Sequence, residues 1–335
     1  MAKKYVRFNY FEVKLVLARL ALQEDLKHDD DGNTFGKPDF TSADLWDMGP
    51  MLDFLESRKG AFDTSIKLGD EKAEVEPDSY IYDPKFQVYS FQLSKLRDTN
   101  IPSKKKIGKI KEEIMLEDDE YIGEFVSILY DHQYKICMIQ SNFYGLTIKQ
   151  IEAHLTELRL RYLAENGMEE EDPLLVRLTP IMDYSKVGAA LQADYYRKIK
   201  IKASDIMLDS VHGDNGILSD MRRSIGRSAG VNIELQISMG FSEKTASLNA
   251  DEIREVLEKF KDLPERSRPK IEVTVKEHED SEVEVINLIE PRMTDRIGLE
   301  IKQKSSIGHE FLHANMLEKY KTRKSDIRRI IGIIQ

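Results

Sequence analysis

The stretch from Glu124 to Asn166, EFVSILYDHQYKICMIQSNFYGLTIKQIEAHLTELRLRYLAEN, constrains the fold more than any other part of the chain. Phe125–Tyr130 and Ile136–Ile139 are almost continuously apolar, as strands covered on both faces are. Asp131-His132-Gln133-Tyr134 between them is short enough for a hairpin loop. Thr147 and Gln150 then make a capping-box pattern ahead of Ile148, Ile151, Leu155, Leu158 and Tyr162 at helical spacing. Asn166-Gly167 supplies the stop signal. The spacing predicts strand, turn, strand and amphipathic helix, a core-building unit with no chemistry of its own.

The flanking sequence extends the pattern. Val6 to Val13 has the β-branched and aromatic content of an opening strand. Asp29 to Asn33 reads as an exposed loop, and Ser42–Ser57 as a helix capped by Ser42, kinked at Gly49-Pro50 and carrying Trp46. Ala61–Leu68 and Gln87–Leu96 read as strands, with Gly69–Pro84 as the turn region between them. The acidic run Glu169–Pro173 predicts a linker. Beyond it come a strand over Leu174–Met182, a short helix near Ser185–Leu191 and a basic strand over Arg197–Ala203. A helix over Ile217–Ser228, a strand over Asn232–Met239 and a helix opened by the capping box Asn249/Glu252 follow. A hairpin of Ile271–Val275 with Val283–Val285, a strand over Asp295–Lys302 and a terminal helix from His309 complete the chain. This order predicts an α+β fold with mixed, mainly antiparallel sheets and packed helices. It divides at the acidic run into two domains, residues 1–170 and 171–335.

Composition decides which partners are open to such a chain. With 41% hydrophobic and 33% charged residues it has the balance of a soluble globular protein, and no run approaches the ~18 apolar residues of a membrane span. Arg7, Asn9 and Glu12 interrupt the N-terminal hydrophobic residues, so no secretory signal core is formed. Cys137 is the single cysteine, and a reducing, cytoplasmic setting fits it. The net charge of −10 argues against a uniformly basic coat, yet the charges fall in blocks. Lys104, Lys105, Lys106, Lys109 and Lys111 cluster in a loop. Lys198, Lys200 and Lys202 line one strand face beside Arg197, with Ile199 and Ile201 on the other. Arg222, Arg223 and Arg227 lie on a helix surface, and a further basic run spans Lys319–Arg329. Cations spaced along a face suit phosphate backbones. The scarcity of aromatic residues beside most clusters favours duplex over single-stranded nucleic acid.

One sequence pattern points elsewhere. His309-Glu310-Phe311-Leu312-His313 matches H-E-x-x-H, which on a helix places two zinc ligands and a water-activating glutamate on one face. A zinc-dependent protease is therefore one alternative reading. Its weakness is the third ligand, for which no downstream histidine exists. The competing structural reading places Phe311, Leu312 and Met316 in the core of a terminal helix. Phosphate-binding, nucleophile-elbow and dinucleotide fingerprints do not occur, and Asp205 with Asp209 reads as a solvated pair. The expectation is a non-enzyme without a metal or other cofactor. A protein-binding defence or anti-defence factor, its basic patches meeting acidic partner surfaces, is the other alternative.

The segments KKYVRFNYFEV, KLRDTNIPSKKK, LEDDEYIGEFVSILYD and KICMIQSNFYGLTIKQIEAHL, taken in order, resemble a family of uncharacterised phage and bacterial proteins and the RexA-like phage-exclusion proteins. The resemblance continues through LLVRLTPIMD, RKIKIKAS, IELQISMG, DEIREVLEKF and the terminal KSDI. It implies a two-domain, homodimeric, cytoplasmic protein without membrane insertion. Such a protein would bind double-stranded DNA without sequence preference and act with an unidentified effector in exclusion of infecting phage. The basic residues named above are where that binding is expected in this chain.

Overall fold

A computed structural model describes residues 2–18, 45–183, 185–209, 216–228, 230–243, 245–262, 269–276, 278–279, 283–288, 291–302 and 306–334. The Asp29–Asn33 loop and the Ser42 cap lie outside the described residues. The chain opens with β1 (Ala2–Leu17) and α1 (Gly49–Ser57), followed by β2 (Ile66–Leu68), β3 (Glu71–Val75), β4 (Ile81–Asp83) and β5 (Val88–Arg97). It continues with β6 (Ile122–Asp131), β7 (Ile136–Ser141), α2 (Ile148–Glu165) and β8 (Leu174–Pro180). Next come α3 (Ser185–Gln192), β9 (Tyr195–Ser204), α4 (Asp205–Asp209), α5 (Ile217–Ser228), β10 (Asn232–Ser238), α6 (Ala250–Asp262), β11 (Lys270–Lys276) and β12 (Val283–Asn287). It ends with β13 (Thr294–Ile301) and α7 (His309–Ile334). The fold is α+β, and the described strand pairs are antiparallel.

The chain folds into two compact units, Met1–Ile181 with Thr294–Gln335, and Met182–Met293. The division predicted at Glu169–Pro173 is therefore displaced, and the reason is a strand pairing. After the acidic run β8 adds to β1, with Leu17 opposite Leu174 and Phe11 opposite Pro180. Strand β13 pairs with the other half of β1, from Ala2 opposite Ile301 to Asn9 opposite Thr294. Strand β7 takes Arg7–Glu12. Those residues overlap both other pairings, so β8 and β13 must share the opposite edge of β1, end to end. The smaller unit is thus inserted in the chain where one long partner of β1 is interrupted.

In the larger unit the sheet runs β13-β1-β7-β6-β5-β3-β2, with β8 and β4 as end-to-end additions to β1 and β5. Its central strands alternate between two cores. Phe11, Val13, Val126, Ile128, Cys137 and Ile139 pack in one apolar cluster with Ile151, Leu155 and Leu158 of α2. The alternate residues Tyr10, Leu129, Met138 and Asp131 are also buried, on the face where Asp131 accepts a hydrogen bond from Tyr320 of α7. Two covered faces explain the unbroken apolar runs, and each large aliphatic buried this way contributes roughly 1.5–3 kcal/mol. The capping box is formed: the Gln150 N–H donates to Thr147 Oγ1 at 3.3 Å and the Thr147 N–H to Gln150 Oε1 at 3.0 Å. Gly167 stands at φ +65° beyond the helix end.

Two local expectations are corrected. Helix α1 starts at Gly49-Pro50, so the proline opens the helix instead of kinking it, where its fixed φ and missing N–H cost nothing. Trp46 precedes the helix, its backbone N–H donating to Val13 O at 2.8 Å. The region Gly69–Pro84, expected to be a turn, contains β3 and β4, two short strands completed by pairing with β5.

In the smaller unit the four-stranded sheet runs β10-β9-β11-β12. Ile199, Ile201 and Val273 pack against Met221 of α5 and Leu257 and Phe260 of α6, leaving the other sheet face wet.

Helix α2 carries a pH-sensitive core residue. His154 is fully buried, with Nε2 donating to Thr64 O at 3.1 Å and Nδ1 unpartnered. Burial lowers its pKa to about 4, against about 6.5 in the unfolded chain. The unfolded state therefore binds the extra proton first as pH falls. This contribution to stability is complete above pH ~6.5 and is lost towards pH ~4, amounting to roughly 3 kcal/mol. His154→Gln keeps an N–H donor without the titration, so urea unfolding at pH 7 and 4.5 should show a smaller acid loss in the variant. Equal losses would exonerate His154.

Candidate nucleic-acid interface

The basic residues separate into groups by what already neutralises them. Residues 98–121 connect β5 to β6, well past the roughly 12–15 residues beyond which structureless loops become uncommon. The segment is a hairpin arm. Lys104 and Glu112 exchange both backbone hydrogen bonds at 2.8 Å, and the Lys109 N–H donates to Lys106 O at 3.1 Å across a turn whose Gly108 has φ +75°. A positive φ there suits glycine at the third position of a tight turn. At the root, Lys72 Nζ donates to Tyr121 OH at 2.6 Å.

Lys104, Lys105, Lys106, Lys109 and Lys111 are all exposed, and none is ion-paired with a carboxylate among the described residues. Lys105 Nζ donates only to the carbonyl of Lys109. Between Lys104 and Lys111 there is no acid, whereas the returning strand carries Glu112, Glu113 and Glu117–Glu120. The outgoing strand, the tip and the start of the returning strand as far as Lys111 are thus the cationic part of the arm.

The lysine strand β9 is different. Its register places Lys202 opposite Glu234 and Lys200 opposite Glu272. Lys200 and Lys202 both pair with Glu234, at 2.9 and 2.6 Å, and Lys198 faces Ser238 and Thr274. The pairing holds the Glu234 pKa below and the Lys200 pKa above their ordinary values. Arg197 lies off this face, since its guanidinium donates to the carbonyls of Ser242, Glu243 and Ala246 and holds that loop. On α5, Arg222, Arg223 and Arg227 are exposed, with Arg223 paired to Asp220.

The terminal basic run serves the fold. Lys319 and Arg323 reach Asp295 at 3.4 and 3.2 Å, and Lys324 reaches the buried Asp131 at 3.6 Å. Asp295 also accepts from Tyr10 OH at 2.9 Å. These contacts clamp α7 onto β6 and β13.

His309 and His313 do share one face of α7, with ring centroids 6.3 Å apart. Their pKa values are lowered, chiefly by burial. Among the described residues no group of three His, Cys, Asp or Glu side chains converges as a metal site. Leu312 and Met316 are buried, while Phe311, expected in the core, is 45% exposed. A separate cleft of about 210 Å³ is lined by Leu52, Phe62 and Phe91 together with Glu56, Glu74 and Glu76. Burial raises the Glu74 pKa, and the carboxylates make this cleft repellent to phosphate.

Sequence reasoning passed over the apolar groups that accompany the arm. Ile107, Ile110 and Met115 are 103%, 87% and 83% exposed. Phe143 and Tyr144, in the turn after β7, are exposed and meet edge to face at 5.2 Å. Asn142 Nδ2 in that turn donates to Phe125 O at 3.0 Å, so the aromatic pair sits at the end of the sheet from which the arm springs. The signal lies in KKKIGKIK, where Ile107 and Ile110 are interleaved with lysines.

A model of the Family of unknown function (DUF6731) matches residues 1–328. The chain belongs to that family. No curated protein matches the chain.

The ion pairing on β9 has a measurable consequence. Changing Lys198, Lys200 and Lys202 to alanine should lower the slope of log duplex affinity against log salt by less than about 1. A fall near 2.7, the value for three phosphate contacts, would return this strand to the interface.

Proposed function

We propose that this protein binds double-stranded DNA without sequence preference through the basic arm at residues 98–121. The observation that carries the reading is five exposed lysines on one projecting hairpin, free of carboxylate partners among the described residues. Cations without internal partners are the ones that can release counterions from a phosphate backbone. The other sequence-derived candidates are committed in part to Glu234, Asp220 or loop carbonyls. No helix among the described residues offers a row of base-reading side chains, so the recognition is of backbone and shape. The resemblance to RexA-like phage-exclusion proteins supports placing this binding in exclusion of infecting phage by a homodimer.

The test is a fivefold charge removal. With Lys104, Lys105, Lys106, Lys109 and Lys111 changed to alanine, the salt slope of duplex binding should fall by up to about 4.5, alike for unrelated sequences. An unchanged slope in the folded variant would move the interface elsewhere. Wild-type protein that ignores duplex at low salt and instead binds an acidic protein surface would replace the reading with a protein-binding one.

A further inference from the structure

We infer that the tip of the arm enters the DNA minor groove and bends the duplex, with Ile107 as an apolar wedge. This deepens the reading of a DNA-binding arm and rests on it. The argument begins with an apolar side chain that the fold does not use. Ile107 is 103% exposed at the corner of the Lys106–Lys109 turn, and Ile110 is 87% exposed one residue past the turn. A β-branched residue is a poor choice for a solvated turn, where polar residues and glycine prevail. The arm has no core of its own, since Lys104 and Glu112 form its one bridge among the described residues.

The chemistry around Ile107 says what would cover it. Lys105 and Lys106 precede it and Lys109 and Lys111 follow, so its occupant must accept cations closely on both sides of a small apolar contact. A minor groove does this: phosphates line both walls, and the base step between them receives Ile, Leu, Phe, Met or Pro wedges that unstack it and kink the helix. The undistorted groove is about 6 Å wide, so the narrow corner of the turn is the part of the arm suited to enter it first. Gly108 supplies such a corner, with no atom near the position a Cβ would take. The acidic run from Glu112 onward fits this orientation, because the tip and the residues as far as Lys111 are then the ones that approach phosphate. A lipid surface suits the tip less well. The arm carries one aromatic residue, Tyr121, at its root, where an interfacial anchor would place aromatics at the apex.

The experiment uses the full chain and a 30-base-pair duplex carrying a fluorescence donor and acceptor at its two ends. Saturating wild-type protein should raise transfer between the ends by shortening the distance. The double variant Ile107→Ser, Ile110→Ser should give the transfer of free duplex when saturated, at an affinity reduced several-fold. Equal melting temperatures for the two proteins exclude misfolding, which an exposed tip should not provoke. Saturated wild-type complex with unchanged transfer overturns the wedge while leaving the binding arm standing. Absence of any complex at low salt overturns both. Wild-type protein that leaves the duplex straight, yet sediments with phosphatidylserine vesicles and loses them in the double variant, assigns the tip to a bilayer instead.

Discussion

Strand β1 uses both of its edges, and one of them twice. Its middle pairs with β7, while β13 and β8 lie end to end along the opposite edge. Remove β1 and the sheet loses its connection between the strand–strand–helix core and the two segments that bracket the inserted unit. The burial of Phe8, Tyr10, Phe11 and Val13 on alternate faces shows why the strand can serve both layers. Long strands of this kind hold their register because a one-residue slip would exchange the two cores.

The second constraint is electrostatic. An acidic protein with many cations can hide most of its positive charge in internal pairs, and this one does so unevenly. Asp131 and Asp295 draw Lys319, Arg323 and Lys324 into the seam beneath α7. Glu234 holds Lys200 and Lys202. The lysines of the arm at 98–121 have no carboxylate partner among the described residues, and its apolar tip is likewise unused by the fold. Charge and exposed hydrophobicity coincide there, so the arm is where a partner is to be sought.

Much of this was legible in the sequence, and the exceptions have physical causes. The strand–strand–helix unit announced itself because both its faces are buried and its cap is local. Strands β3 and β4 did not, because such short strands, with Glu71, Lys72 and Glu74 in one and Asp83 in the other, take their structure from pairing with β5. The inserted unit was hidden since β8 and β13 share β1 across more than a hundred residues of intervening chain, and no local pattern encodes that. The basic clusters were visible as charge, but their partners were not: Lys200 and Glu234 are neighbours only through the register of β9 and β10. Arg197 read as part of a basic stripe because nothing nearby in sequence reveals the carbonyls it holds.

The central claim is that the cations which meet DNA are those the fold leaves unpaired. Lysine acetylation footprinting tests it most directly, comparing the modification rate of each lysine in free protein and in complex with a random-sequence duplex at low salt. The account predicts protection of Lys104, Lys105, Lys106, Lys109 and Lys111, with the ion-paired Lys200 and Lys202 reacting equally in both states. Protection of the β9 lysines with an arm that stays reactive in a formed complex would contradict it.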